Sequence, residues 1–287
     1  RHWGQSSDNN AMSETQPFQL RWRTTRMPPA LTGSALHVWR LPLSVGDEHA
    51  DDADLAVLSP RQRERMQRLI QPLHRRRFLR TQASCRRILA LYVGVEAASL
   101  SFGYGPAGKP AIRCAETAPE FNLTTAGDLA LLAISAAQPV GIDCELERMR
   151  SDLLGVAARM FTADALASLA GLSDAARQRA FYLHWTALEA RVKADGRGLA
   201  RHREPDPPGL TVAHALAGEV TGQVAVCAVA RQALPTPDQW HALHLANVGP
   251  GRHNAPHPHP LQACQGSHRT LRLDALRRRP KAKSGYS

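Results

Sequence analysis

The 287-residue chain has few aromatic residues, scattered cysteines and no long apolar run. Phe, Trp and Tyr make up 5% of it, and they form no cluster of the kind that stacks nucleic-acid bases. The five cysteines are odd in number and never stand in C-x-x-C spacing, which argues against a disulfide framework or a zinc site. No run of about eighteen apolar residues is present, so a membrane span is not expected.

What the chain does contain is typical of a globular enzyme. It is 43% hydrophobic and 21% charged, which is enough to bury one large core or two smaller ones. The first residues, Arg1-His-Trp-Gly-Gln5, lack the basic-then-apolar order of a secretory signal. The sequence therefore predicts a cytoplasmic protein.

The net charge of +11 is concentrated in two segments. Residues 59–88 hold ten arginines against the single acid Glu64, and residues 251–287 hold eight Lys or Arg against Asp274. Basic segments first suggest nucleic-acid binding, but no helix-turn-helix or zinc spacing accompanies them. A phosphate-rich small ligand with an acidic protein partner explains the charge as well. A solvated arginine face on a helix is the third interpretation.

Two carboxylates two residues apart are the most informative feature. They lie in Val140-Gly-Ile-Asp-Cys-Glu145, which the β-branched residues Val140 and Ile142 mark as a short strand. Because side chains alternate along a strand, Asp143 and Glu145 share one face. Cys144 faces the other way and is expected to pack as a small hydrophobic residue.

A helix is predicted later in the chain, over Phe181-Tyr-Leu-His-Trp-Thr-Ala-Leu-Glu-Ala-Arg-Val-Lys193. Its apolar stripe comprises Phe181, Trp185, Leu188 and Val192. Glu189 and Lys193 are i,i+4 neighbours beside that stripe. Three carboxylates brought together by a strand and a helix suit Mg²⁺, and a lysine one turn away could neutralise phosphate charge. Taken separately, each piece is also consistent with a solvated strand face or a surface ion pair.

The order of these motifs resembles the Sfp-type 4′-phosphopantetheinyl transferases. The resemblance covers about residues 35 to 230 and rests on stretches in the expected order. These are Leu58-Ser-Pro with the arginine-rich helix to Leu91, Gly108-Lys-Pro110, Phe121-Asn-Leu-Thr-Thr-Ala-Gly127, and the two acidic runs, which end in Gly196-Arg-Gly-Leu199.

The resemblance implies an α+β fold of two similar α+β halves in a pseudo-twofold arrangement. Residues 35–137 are then the first half, which would hold the coenzyme A nucleotide and dock the carrier. Residues 138–234 are the second half, with the metal and the catalytic residues. Residues 1–34 are expected to form a flexible segment, and residues 235–287, with the run Pro256-His-Pro-His-Pro260, a basic disordered tail.

The implied reaction moves the 4′-phosphopantetheine group of coenzyme A to a serine of an apo carrier protein and releases 3′,5′-ADP. Asp143, Glu145 and Glu189 would hold Mg²⁺ against the pyrophosphate. Glu189 would also take the serine proton, and Lys193 would balance or protonate the leaving phosphate. Two halves in one chain imply a monomeric pseudodimer serving peptide-synthetase or polyketide-synthase carriers in secondary metabolism.

For the nucleotide end, the resemblance places Arg77 near the 3′-phosphate, with Arg65 as a weaker candidate, and Lys109 and Pro110 beside the adenine. Thr124 and Thr125 stand where the family usually has Ser-His. A hydroxyl supplies no positive charge, so weaker coenzyme binding is expected.

A second departure is Leu188, which replaces a common lysine beside the helical glutamate. The alternative function is a non-catalytic protein of the same fold that binds carrier proteins or coenzyme A.

Overall fold

The computed structural model describes residues 17–33, 35–41, 43, 49–113, 118–136, 138–217, 224–230 and 240–245. Its strands are β1 (Phe18–Gln19), β2 (Arg23–Thr25), β3 (Leu36–Leu41), β4 (Phe102–Tyr104), β5 (Pro110–Ile112), β6 (Glu120–Ala126), β7 (Leu129–Ser135), β8 (Gly141–Leu146), β9 (Thr211–Leu216), β10 (Val224–Ala230) and β11 (Trp240–Leu245). Its α-helices are α1 (His49–Val57), α2 (Pro60–Gln67), α3 (Pro72–Val93), α4 (Leu153–Met160), α5 (Ala163–Ala167) and α6 (Asp174–Asp195).

The strands form two main sheets and a hairpin. The first sheet has the order β2-β11-β3-β7-β6, and the second has the order β1-β9-β10-β8. Most neighbours are antiparallel, but β11 runs parallel to both β2 and β3, and β1 runs parallel to β9. The hairpin β4-β5 presents the Gly108-Lys-Pro110 turn. The mixed α+β class expected from the sequence is confirmed.

The two sheets share one core, and strand alternation assigns each side chain to a layer. Leu129, Leu131 and Ala133 of β7 join Ile142 and Cys144 of β8 in the cluster between the sheets. The alternate β7 residues Ala130, Leu132 and Ile134 pack instead in the cluster that contains Ile88, Leu89 and Tyr92 of α3. The order of layers is therefore α3, first sheet, second sheet, α6.

The helix starts follow the local sequence. Ser59 caps α2 by accepting a hydrogen bond from the Gln62 backbone N–H, and the Gln62 side-chain oxygen accepts one from the Ser59 backbone N–H. Pro60 follows at the first helical position, as the Ser-Pro pair predicts. α3 also has a proline at its first position, Pro72, and it is followed by Gly94, which caps the helix with a left-handed φ of 68°.

Helix α1 neutralises much of the arginine-rich face of α3. Asp51 pairs with Arg76 at 3.2 Å and with Arg80 at 2.9 Å. The buried Asp54 pairs with Arg80 at 2.9 Å and also with Arg87. The arginine count of the sequence therefore overstates the basic surface that is free for a ligand.

Two strand-forming regions correct the predicted organisation. The segment 1–34 was expected to lie outside the fold, yet it supplies β1 and β2, and the predicted disordered tail supplies β11. β1 and β2 are two and three residues long, too short for a periodic signal, and β11 is set by pairing with distant strands. Residues 1–16 and 246–287, with the Pro-His run, lie outside the described residues.

In the described part of the chain, none of the helices combines the length and the apolar character that crossing a membrane requires.

Candidate active site

An ammonium lies between two carboxylates where β8 meets α6. Lys193 Nζ is 2.5 Å from Asp143 Oδ1 and 2.9 Å from Glu189 Oε2. The contact is possible because α6 packs directly on the β8 backbone. A Cβ added at Gly141 would lie 2.0 Å from the Ala190 carbonyl oxygen, so only glycine fits there. The sequence-predicted cluster is thus assembled from a strand and a helix.

Asp143 is buried and its two oxygens have different surroundings. Oδ1 accepts from Lys193 and also from the Thr124 hydroxyl at 3.0 Å. Oδ2 is buried and has no hydrogen-bond partner among the described residues. Thr124, predicted as a coenzyme contact, therefore supports a carboxylate. The position of β6 against β8 is fixed nearby by a hydrogen bond from the Ile142 backbone N–H to Asn122 Oδ1 at 2.9 Å.

Glu145 lies on the same face of β8, two residues beyond Asp143, and is half-buried. Cys144 points into the core between the sheets, as predicted. The Trp185 side chain of α6 favours the ionised Glu145 carboxylate and so opposes the rise in its pKa that burial causes. The sequence assigned Trp185 only to the apolar stripe, and nothing in the spacing indicates an effect on a carboxylate.

The electrostatics follow from burial and from the shared negative charge. Burial raises the pKa of Asp143 to about 7, with Glu189 and Glu145 adding to the rise and Lys193 opposing it. Burial and Glu189 also raise the pKa of Glu145. Burial lowers the pKa of Lys193, but Asp143 and Glu189 outweigh it and hold that pKa above its ordinary value. The cluster carries surplus negative charge and would favour a cation.

Within the described ranges, no group of three His, Cys, Asp or Glu side chains is close enough to enclose a metal ion as the chain stands. In this arrangement the Lys193 ammonium lies between the carboxylates of Asp143 and Glu189 and contacts both.

A cavity of about 1080 Å³ opens beside this cluster, between α2, α3, the β4-β5 hairpin and β6. Arginines and one histidine form its basic wall. They are Arg61, Arg65, Arg68, His74 and Arg77. Pro110, Thr124 and Thr125 line the other side, so five of the predicted coenzyme residues border one space.

The two predicted coenzyme residues among these cations, Arg77 and Arg65, already have partners. Arg77 binds Asp128 of the β6-β7 turn, with Nη2 at 2.6 Å from Oδ1. Arg65 stacks over the Phe78 ring at 5.6 Å. Because Asp128 is largely exposed, Arg77 can exchange it for another anion at small cost.

Lys109, which the resemblance places beside the adenine, bonds to two backbone carbonyls. Its ammonium donates to the Ala194 carbonyl at 2.6 Å and to the Val140 carbonyl at 3.3 Å. Gly108 and Pro110 on either side are among the described residues that line the large cavity, but Lys109 is not.

A second cavity of about 600 Å³ adjoins the first and shares Thr125 and Gly127 with it. Glu145 lies in its wall beside Phe181, Tyr182 and Trp185. Arg148, Arg150 and Arg159 also line it. The acidic cluster therefore adjoins both spaces: Thr124, which donates to Asp143, lines the large basic one, and Glu145 lines the smaller, partly aromatic one.

Arg86 has a structural role. It is 1% exposed and donates to the carbonyls of Ala97, Ala98 and Leu100 and to Gln62 Oε1. These bonds fix the end of α3 to the segment before β4.

Comparison with known proteins identifies the family. A family model described as the 4′-phosphopantetheinyl transferase superfamily matches residues 139–250. The chain is 38% identical over 181 residues to the 4′-phosphopantetheinyl transferase HetI of Nostoc sp. (strain PCC 7120). The aligned residues make up 62% of this chain and 76% of that relative.

Two further relatives agree. A 4′-phosphopantetheinyl transferase of Bacillus subtilis is 29% identical over 159 residues, covering 55% of this chain and 68% of the relative. The 4′-phosphopantetheinyl transferase Sfp of Bacillus subtilis (strain 168) is 25% identical over 161 residues, with the same two shares. The chain belongs to the 4′-phosphopantetheinyl transferase superfamily, and the predicted enzyme class, a transferase, is confirmed.

Proposed function

We propose that this enzyme transfers the 4′-phosphopantetheine group of coenzyme A to a serine of an apo carrier protein, with Mg²⁺, and releases 3′,5′-ADP. The observation that carries the proposal is the Asp143–Lys193–Glu189 cluster, which two adjoining cavities approach: Thr124, which donates to Asp143, lines the first, and Glu145 lines the second. One cavity is basic and large enough for a nucleotide, and the other gives a second substrate its own approach to the same carboxylates.

The residues fit Mg²⁺ by their chemistry. Carboxylate oxygens are its preferred protein ligands, and the buried Oδ2 of Asp143 is an acceptor that no described group satisfies. Asp143, Glu145 and Glu189 would hold the ion. When bound, it would polarise the pyrophosphate and neutralise charge on the leaving group.

The chain's own residues would carry the proton and the charge. Glu189 takes the proton of the carrier serine, whose oxygen then bonds to the β-phosphorus while the bond from that phosphorus to the oxygen of 3′,5′-ADP breaks. Lys193, held between Asp143 and Glu189, balances the charge of the departing phosphate. Thr124 keeps Asp143 oriented by donating to Oδ1.

The large cavity would hold the nucleotide. Arg77 suits the 3′-phosphate because a guanidinium offers two parallel donors, and release of the exposed Asp128 would free them. Arg65 would add charge from the same wall, and Pro110 would pack near the base. Thr125, exposed where the two cavities meet, would donate one neutral hydrogen bond to the coenzyme phosphates.

The carrier would approach through the second cavity. Arg148, Arg150 and Arg159 line it, and the apolar side chains Met149 and Leu154, close to these arginines in the chain, are 79% and 47% exposed. Arginines together with exposed apolar groups fit an acidic partner that also offers apolar side chains, as expected of carrier proteins. This moves carrier docking from the first half, where the sequence placed it, to the second.

Carriers of peptide synthetases or polyketide synthases remain the predicted substrates, and a cytoplasmic monomer remains the predicted form. Both follow from the resemblance of a chain with two halves to the Sfp-type enzymes.

The test is the mass of an apo carrier protein after incubation with the enzyme, coenzyme A and Mg²⁺, with and without chelator. A gain of one phosphopantetheine group that disappears with chelator is expected. Coenzyme A binding with no mass gain across several acyl and peptidyl carriers would instead support the non-catalytic alternative, for which Thr125 is the sole argument.

A further inference from the structure

The contacts of Lys109 connect the elements of the active site. Val140 immediately precedes β8, which carries Asp143 and Glu145, and its carbonyl accepts from Lys109 at 3.3 Å. Ala194 follows Lys193 in the last turn of α6, and its carbonyl accepts at 2.6 Å. A single ammonium thus joins the backbones of the two elements that form the carboxylate cluster.

A third contact extends the connection to β6. Glu120, the first residue of β6, places Oε2 at 3.8 Å from the same nitrogen, and β6 carries Thr124. The Lys109 side chain is only 15% exposed, so its ion pair and hydrogen bonds are partly shielded from water. Positive charge also suits the C-terminal end of α6, where carbonyl groups lack partners within the helix.

The chain around Lys109 is shaped to hold it there. Gly196 ends α6 with a left-handed φ of 72°, and a Cβ added to it would lie 3.3 Å from both Cβ and Cδ of Lys109. Gly198 leaves similarly little room, with an added Cβ 2.9 Å from the Ala107 Cβ. The absence of side chains at Gly196 and Gly198 therefore lets the turn of the β4-β5 hairpin pack closely against the C-terminal end of α6.

We propose that Lys109 is a positioning residue for the carboxylate cluster and that its side chain is not a coenzyme-binding cation. The inference rests on the proposed function. The nucleotide contacts of this turn then come from Gly108 and Pro110. The Lys109 ammonium holds β8, α6 and β6 in their relative positions. Loss of the ammonium would displace Asp143 from Lys193 and slow the chemical step, while leaving the nucleotide wall intact.

The test compares Lys109→Met with Arg77→Met in the full chain, by steady-state kinetics and by calorimetric binding of 3′,5′-ADP. For Lys109→Met we expect kcat to fall by about ten- to a hundred-fold, as for a small displacement of catalytic groups, with nucleotide Kd changed by less than about two-fold. For Arg77→Met we expect the opposite weighting, with nucleotide binding weakened by a larger factor than any fall in kcat. Lys109→Arg, which can still donate to both carbonyls, should recover part of the lost kcat.

Two results would overturn the inference. One is nucleotide binding weakened by Lys109→Met as much as by Arg77→Met, with kcat preserved. The other is wild-type kinetics in Lys109→Met. If that variant does not fold, Lys109→Gln, which retains one donor group, undergoes the same comparison.

Failure of the proposed function has its own signature, a wild-type enzyme that modifies no carrier. Because nucleotide binding requires no turnover, the Kd for 3′,5′-ADP still tests the role of Lys109 in that case. Equal binding by the wild type and Lys109→Met would exclude a nucleotide contact, and weakened binding would overturn the inference.

Discussion

Replacing Thr124 by valine tests whether a buried hydroxyl sustains the charge of Asp143. Valine keeps the shape and the β-branching of threonine but removes the donor that lies 3.0 Å from Asp143 Oδ1. A hydrogen bond to a charged group contributes about 1.5 to 3 kcal/mol, and a pKa unit corresponds to about 1.4 kcal/mol. The pKa of Asp143, about 7 in the folded chain, should therefore rise by about one to two units in the variant.

The rise changes stability with a defined sign. The folded pKa of Asp143 lies above its ordinary value of 3.8, so the protonated carboxyl favours folding and stability is lost as pH rises through about 7. Because Thr124→Val raises the folded pKa of Asp143 further, stability continues to fall to a higher pH in the variant than in the wild type. We expect its free energy of unfolding to fall below wild type by about 1.2 to 1.9 kcal/mol more at about pH 8.5 than at about pH 5.5.

The measurement is denaturant unfolding at both pH values in chelator, so that bound metal does not contribute. Thr125→Val is the matched control, because that neighbour is exposed and its pH dependence should equal that of the wild type. A Thr124→Val effect of equal size at both pH values would refute the reasoning, since it would mean that the hydroxyl does not act on the ionised carboxylate.

Three further predictions address the reaction itself. Glu189→Gln should reduce transfer by roughly a hundred- to ten-thousand-fold while coenzyme A binding and the circular dichroism spectrum are kept, and near-normal turnover would refute its role as base. Thr125→His should tighten coenzyme A binding by up to about ten-fold in calorimetry, because a charge-assisted hydrogen bond replaces a neutral one, and unchanged affinity would mean that the pocket is adapted to threonine. The double substitution Arg148→Glu with Arg159→Glu should raise KM for an acidic carrier several-fold, more at low salt, and leave KM for coenzyme A unchanged; equal effects on both would contradict carrier docking at the second cavity.

The sequence was most informative where function depends on residues close together in the chain. Alternation along Val140–Glu145 correctly put Asp143 and Glu145 on the face opposite Cys144, and the spacing in α6 correctly paired Glu189 with Lys193. Both conclusions require only the period of a strand or a helix.

Contacts between distant elements could not be predicted in this way. Nothing in the Thr124-Thr125 pair indicates which hydroxyl faces Asp143, because that depends on how β6 lies across β8. The turn motif containing Lys109 gave no indication that its side chain would reach the end of α6. Helix α1 was missed as well, although Asp51 and Asp54 have the i,i+3 spacing that lets one helix present two acids to α3.

The position of β11 determines when the first sheet can form during synthesis. Its register aligns Leu243 with Trp39 of β3 on one side and with Arg23 of β2 on the other, so it is an interior strand made of late-synthesised residues. Until about residue 245 has left the ribosome, β3 has an unpaired edge in a chain that already contains every proposed catalytic residue. Such an edge invites pairing with other chains. The first sheet must therefore be completed after the active-site segments have been made, and a truncation just before β11 should yield aggregation rather than a smaller active enzyme.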